Sequence, residues 1–158
     1  MSNLSPPRLA PSGTDLRFAI VASLFNAPYV QGLVDHATEE LNALSPAAAV
    51  SLHQVPGAFE IPIVVRELAL QKTADAILAL GVILQGETGH AMNLASSVTD
   101  ALQRIAIDQG VPVINAVLSL ESETQAKERC LGSSINRGTE AARAAVKIAE
   151  VMKALRAT

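Results

Sequence analysis

The run AILALGVIL, from Ala76 to Leu84, is nine consecutive residues without a polar side chain. A strand with one face in water alternates apolar and polar residues, so an unbroken run between Asp75 and Gln85 reads as a strand buried on both faces. Strands of that kind belong to parallel sheets, whose strands are joined by helices. The flanking sequence fits. Upstream, Arg17–Ser23 (RFAIVAS) is another short apolar run, and Ala48–Gln54 is rich in small and β-branched residues. Between these two, Val30, Leu33, Val34, Ala37 and Leu41 share one face of a helix predicted over Tyr29–Leu44. A second helix is predicted over Phe59–Lys72, with Pro62 in its first turn, where a missing N–H costs little. Downstream, Gly89–Gln109 reads as a long helix stopped by Gly110, and Val111–Leu118 (VPVINAVL) as a fourth strand. Two closing helices, Glu121–Cys130 and Thr139–Leu155, are separated by a Gly/Ser/Asn turn from Leu131 to Gly138. The expectation is an α/β fold: a four-stranded parallel sheet in a three-layer α/β/α sandwich with right-handed connections.

Bulk properties narrow the class. The 158 residues suit one domain, 15–158, preceded by an arm, 1–14, whose Pro6, Pro7 and Pro11 favour extended chain that is ordered only if something holds it. Net charge is −3 with the signs interspersed, so a basic nucleic-acid-binding stripe is not expected. One cysteine, Cys130, excludes a disulfide framework and points to a reducing compartment. Without a charged, apolar leader or a membrane-length apolar run, a soluble cytoplasmic protein is the expectation. The three histidines have neither metal-ligand spacing nor a cysteine partner, so no metal site is expected.

In open α/β sheets ligands bind beyond the carboxyl ends of the strands, so the residues after each strand are the candidates. After the first strand, Phe25 could stack on a planar heterocycle or simply plug the strand end, and Asn26 could cap a helix or bind ligand. After the second, Pro56 and Gly57 make a tight turn, and Glu60 follows in a first helical turn. A carboxylate is favoured there by the helix dipole and could equally accept from ligand hydroxyls. After the third, Gly86, Glu87, Thr88 and Gly89 open a helix whose N–H groups can face an anion, with His90 able to exchange protons in its first turn. The alternative there is a capping loop with a solvated histidine. Arg129 near the end of its helix either complements the dipole or forks a phosphate held at Gly86–Thr88, in which case a neighbouring subunit could supply it. Arg137 is a second candidate cation, expected at the surface.

Taken together, these segments resemble a known family. VPGAFEIP (Val55–Pro62) and LGVILQGETGH (Leu80–His90) are similar to the two central motifs of lumazine synthases. Phe25-Asn26, GVPVI (Gly110–Ile114), Gln125–Arg129 and Asn136–Ala142 follow the same pattern in order over roughly Arg17–Met152. The resemblance implies a flavodoxin-like fold and a transferase of riboflavin biosynthesis. Such an enzyme condenses 5-amino-6-(D-ribitylamino)uracil with 3,4-dihydroxy-2-butanone 4-phosphate, and uses neither cofactor nor metal. On matching positions, Phe25 would stack on the pyrimidine with Asn26 beside it. Ala58, Phe59 and Glu60 would meet the ribityl chain, and the backbone of Val82, Ile83 and Leu84 would read the pyrimidine edge. Gly86, Glu87 and Thr88 would hold the phosphate with Arg129, and His90 would shuttle protons. The resemblance further implies a homo-oligomer: a pentamer, or a shell of twelve pentamers, which the short Gly132–Gly138 turn favours. Riboflavin synthase, which consumes the product, is the candidate protein partner.

The chain departs from the family pattern at four places. Leu24 stands where many members have Arg, Ala91 and Met92 where an aromatic and an acidic residue usually follow the histidine, and Asn115 where a Phe commonly reaches a neighbouring subunit's pocket. Met92 and Asn115 keep open a binding protein for a flavin or ribityl compound, or a shell-forming homologue, with reduced catalysis. A response-regulator-like domain shares the strand–helix alternation, but no acidic phosphoacceptor cluster follows Ser23.

Overall fold

The computed structural model describes residues 2–158. Its elements are β1 (Arg17–Ser23), α1 (Ala27–Leu44), β2 (Ala49–Val55), a 3-10 turn (Ala58–Glu60), α2 (Ile61–Gln71), β3 (Ala76–Leu84), α3 (His90–Gln109), β4 (Val113–Leu120), α4 (Glu123–Ala126), a π-turn (Lys127–Leu131) and α5 (Arg137–Arg156). All strand pairs are parallel, in the order β2-β1-β3-β4. The unbroken run Ala76–Leu84 is the central strand β3, buried along its length apart from a half-buried Leu84.

Alternation along β1 divides the core in two. Phe18, Ile20 and Ala22 face α1 and α5, while Ala19 and Val21 face α2 and α3. Ile20, Leu78 and Leu80 are completely buried, and burying a side chain of that size contributes roughly 1.5–3 kcal/mol over leaving it exposed. α1 and α5 pack closely because Gly138 brings its backbone against the Leu33 carbonyl, where a Cβ would overlap. Gly110, at φ 66, ends α3 as the sequence suggests, in the left-handed conformation that glycine adopts without strain.

Three expectations need correction. β4 begins at Val113 rather than Val111 and runs on to Leu120. Pro112 has no N–H for the ladder, and only its carbonyl serves, accepting from Ile77 N–H at 2.9 Å. The helix expected over Glu121–Cys130 is a single α-turn followed by a π-turn, closed where Gly132 N–H donates to the Lys127 carbonyl at 3.0 Å. The helix expected from Phe59 starts as a 3-10 turn and becomes α-helical at Ile61.

The proline-rich arm is held by the body of the chain. Glu40 of α1, only 7% exposed, pairs with Arg8 of the arm at 3.1 Å and with Arg143 of α5 at 2.9 Å. Arg143 also donates to the Pro6 carbonyl at 2.7 Å, and Ser12 N–H to the Leu44 carbonyl at 2.6 Å.

Candidate active site

The strand order reverses direction between β1 and β3: the chain leaves β1 towards β2, then crosses back to β3. The carboxyl ends of these strands therefore splay around a crevice, the place where open α/β sheets take ligands. A cavity of about 360 Å³ opens there. The end of β1 supplies Phe25 and Asn26, the turn after β2 supplies Gly57, Ala58, Phe59 and Glu60, the end of β3 supplies Val82, Ile83 and Leu84, and the start of α3 supplies His90, Ala91 and Leu94. Five of these twelve residues, Phe25, Asn26, Gly57, Glu60 and His90, are candidates from the strand-end reading, and five more, Ala58, Phe59, Val82, Ile83 and Leu84, from the family resemblance; Ala91 and Leu94 are the additions. Leu94 follows His90 by one helical turn and so shares its face, a periodicity that could have found it.

Phe25 and Phe59 stand at the mouth, 72% and 69% exposed. Large aromatic surface left in water at a cavity rim is available to cover a planar ligand, since aromatics bury about 150–250 Å² each. Gly57 leaves room beside Glu60: a Cβ on it would come within 3.2 Å of the Glu60 Oε2, which would have to swing aside by a few tenths of an ångström. Glu60 N–H donates to the Gly57 carbonyl at 3.2 Å, which closes the 3-10 turn and holds the carboxylate at the rim.

Asn26 caps α1 by position but not by side chain. It adopts φ 58, ψ 41, and its Nδ2 donates to the Val82 carbonyl at 2.7 Å. The bond crosses the crevice from the end of β1 to β3.

Gly86, Glu87 and Thr88 are exposed and lie beyond the residues that line the cavity. No side chain caps the helix they open, and no acidic residue occupies its first turn, so the first-turn N–H groups of α3 are free to meet an anion. His90 is exposed on the cavity wall. Among the described residues the only histidine ring in a hydrogen bond is His53, with Ser51 Oγ at 3.2 Å.

Besides Gly86, Glu87 and Thr88, two further candidates, Asn115 and Arg129, do not line the cavity of their own chain. Asn115 lies across the sheet on β4, donating to Thr99 Oγ1 at 3.1 Å, and borders a separate cleft of about 350 Å³ beside Ser2, Pro6 and Arg137. Arg129 sits in the π-turn, its Nε and Nη1 buried and without a hydrogen-bond partner among the described residues, with the Glu128 carboxylate 4.0 Å from Nη1. Arg137, expected at the surface, is 9% exposed, paired with Glu140 and donating to the Ser2 carbonyl. A larger cleft of about 570 Å³ between α2 and α3 is lined by Arg66, Asp100, Arg104 and Asp108; it lies along the helices, away from the strand ends. No group of three or more His, Cys, Asp and Glu among the described residues is placed to hold a metal, and no helix is long and apolar enough to cross a membrane.

A four-stranded parallel sheet of this order, with an exposed aromatic, a carboxylate and a histidine gathered around a cavity at its switch point, defines a flavodoxin-like α/β protein. The family model for 6,7-dimethyl-8-ribityllumazine synthase matches residues 15–153, and the chain belongs to that family. It is 42% identical over 154 residues to the 6,7-dimethyl-8-ribityllumazine synthase of Corynebacterium efficiens, covering 96% of this chain and 94% of the relative. It is 41% identical over 144 residues to that of Leptothrix cholodnii, covering 90% and 91%.

Proposed function

We infer that this protein is a working lumazine synthase, a transferase that condenses 5-amino-6-(D-ribitylamino)uracil with 3,4-dihydroxy-2-butanone 4-phosphate to give 6,7-dimethyl-8-ribityllumazine in riboflavin biosynthesis. The observation that carries this reading is the single cavity that gathers Phe25, the Ala58–Glu60 turn, the Val82–Leu84 strand end and His90. Phe25 would cover the pyrimidine face, the backbone of Val82 to Leu84 would read its polar edge, and Glu60 would accept from ribityl hydroxyls.

The uracil's amine adds to the ketone and loses water to form an imine. A carbon-bound proton is then removed and orthophosphate leaves. The second amine closes the ring with loss of another water. His90, at the junction of cavity and phosphate loop, is placed to carry these protons. Holding two reactants in register supplies most of the rate, and proton transfer adds about 10²–10⁴-fold.

Gly86, Glu87 and Thr88 would cradle the phosphate. Its cation is Arg129, supplied by the adjacent subunit of a pentamer together with Asn115, since neither residue lines the cavity of its own chain. Arg129 Nε and Nη1, which lack a hydrogen bond among the described residues, and the exposed apolar Phe59, Ile63 and Met92 support a partner surface. The compact turn before α5 fits closure of pentamers into a 60-subunit shell. The free, buried thiol of Cys130 suits the reducing cytoplasm, where riboflavin synthase would take up the product.

The test is a coupled absorbance and fluorescence assay of lumazine formation against the uncatalysed reaction. Acceleration that falls in Arg129→Ala and His90→Ala supports the reading. Tight binding of the uracil without acceleration replaces it with a binding protein. A monomeric mass by light scattering removes the shared site.

A further inference from the structure

The last strand pair of β3 and β4 is Leu84 with Leu120, yet the ladder continues one residue further. Gln85 N–H donates to the Leu120 carbonyl at 2.8 Å, and the Gln85 side-chain Nε2 donates to Ser119 Oγ at 2.6 Å. Both residues are half-buried, and neither lines the cavity. Gln85 is the last anchored residue before Gly86, and the next fixed point is the first turn of α3 at His90. The four residues between are exposed, and two are glycines, the residue with the least conformational restraint of its own. The direction in which this loop leaves the sheet is therefore set by the two-point grip of Gln85 on the end of β4.

We propose that Gln85 and Ser119 are positioning residues for the phosphorylated substrate: by clamping the root of the Gly86–Gly89 loop to β4, they pre-orient its backbone N–H groups for the phosphate. The proposal rests on the reading of Gly86–Thr88 as the phosphate cradle. Backbone donors serve an anion only when they converge on one point, and a loop that must be ordered at the moment of binding loses affinity by the entropy of ordering it. The clamp acts on one substrate only. Phe25, Glu60 and the Val82 carbonyl, which would hold the uracil, make no hydrogen bond to Gln85 or Ser119 among the described residues.

Steady-state kinetics of the assembled enzyme, varying each substrate in turn and adding orthophosphate as competitor, test this. Gln85→Ala and Ser119→Ala should each raise the KM for the butanone phosphate and the inhibition constant of orthophosphate about threefold to tenfold, the range of one neutral hydrogen bond. The KM for the uracil and kcat should stay within about twofold. The double variant should be no worse than either single one, because both remove the same bond. Ser119→Thr, which keeps the hydroxyl, should stay close to wild type. An equal rise in both KM values, additive effects, or a lower melting temperature with unchanged kinetics would overturn the positioning role. Thr88→Pro, which deletes a backbone donor from the loop, separates the two layers. If it weakens orthophosphate binding while Gln85→Ala does not, the cradle stands and the clamp fails. If orthophosphate inhibition is untouched by Thr88→Pro in a variant that still binds the uracil, the cradle and the clamp fall together.

Discussion

Asn26 reaches across the crevice to Val82, its side-chain amide 2.7 Å from that carbonyl oxygen, while its own backbone holds the left-handed φ of 58. One residue thus fixes the turn that carries Phe25 and ties it to the strand that forms the cavity wall. Asn26→Ala loses the bond, worth about 1 kcal/mol, and places a Cβ-bearing residue without local compensation in a conformation that costs roughly another 1–2 kcal/mol. Asn26→Gly loses only the bond. Chemical denaturation should rank wild type above Asn26→Gly and Asn26→Gly above Asn26→Ala; equal stability of the two variants would show that the backbone conformation is not strained.

His90 has solvent on one side and the cavity on the other. His90→Ala is expected to slow single-turnover formation of product by about 10²-fold, the lower part of the range for general acid–base help, while uracil affinity is retained. Complete loss of activity in a folded, uracil-binding variant would mean that proximity contributes far less than proposed.

Glu40 predicts a graded response to mutation. Glu40→Ala removes the carboxylate partner of Arg143, whose side chain is 19% exposed and keeps only the Pro6 carbonyl among the described residues, and removes the tie to Arg8. Breaking a buried pair from one side costs about 3–5 kcal/mol. Arg8→Ala removes a partner that is 56% exposed, and about 0–1 kcal/mol is expected. Urea titration gives both numbers. Limited proteolysis should cut the arm sooner in both variants, even though only one is markedly less stable.

Cys130 is completely buried, and burial pushes its thiol from the ordinary 9.0 up to about 12, against the opposing pull of the Arg129 guanidinium. The folded state favours the protonated thiol, so its contribution to stability is complete below pH 9 and is lost as the pH rises from 9 towards 12. At pH 8 a thiol reagent should label Cys130 only at the rate of global unfolding. Rapid labelling of the native protein would show that the π-turn opens locally.

The fold was legible where burial speaks through composition. β1 and β3 fall on their predicted limits, β3 because a strand covered on both faces carries no polar residue between Asp75 and Gln85, and β1 because its apolar run is bracketed by Arg17 and Ser23. The strand-end rule pointed to Phe25, Asn26, Gly57, Glu60 and His90 on the cavity wall, while Ala58, Phe59 and Val82 to Leu84 came from the family resemblance. The π-turn was not: the Glu121–Cys130 stretch reads as an ordinary helix. What holds its end is Asn136, which lies further along the chain and donates to the carbonyls of Cys130 at 3.0 Å and Gly132 at 2.9 Å. The arm was illegible for the same reason, since its order depends on Glu40 and Arg143, distant partners that no local pattern reveals. Asn26 was read as cap or ligand binder; its bond to Val82 is a tertiary contact spanning 56 positions.

The far end of the molecule offers something practical. Near the close of α5, Lys153 Nζ donates to the Asp15 carbonyl at 3.1 Å, just before β1, and Arg156 donates to the Gly110 carbonyl, just before β4. The final residues are thereby moored at the amino pole of the sheet, while Phe25, Glu60 and His90 gather at the opposite pole. A cargo peptide or reporter genetically fused behind Thr158 would depart from the pole remote from the crevice, so the carboxyl end is the natural attachment point for display.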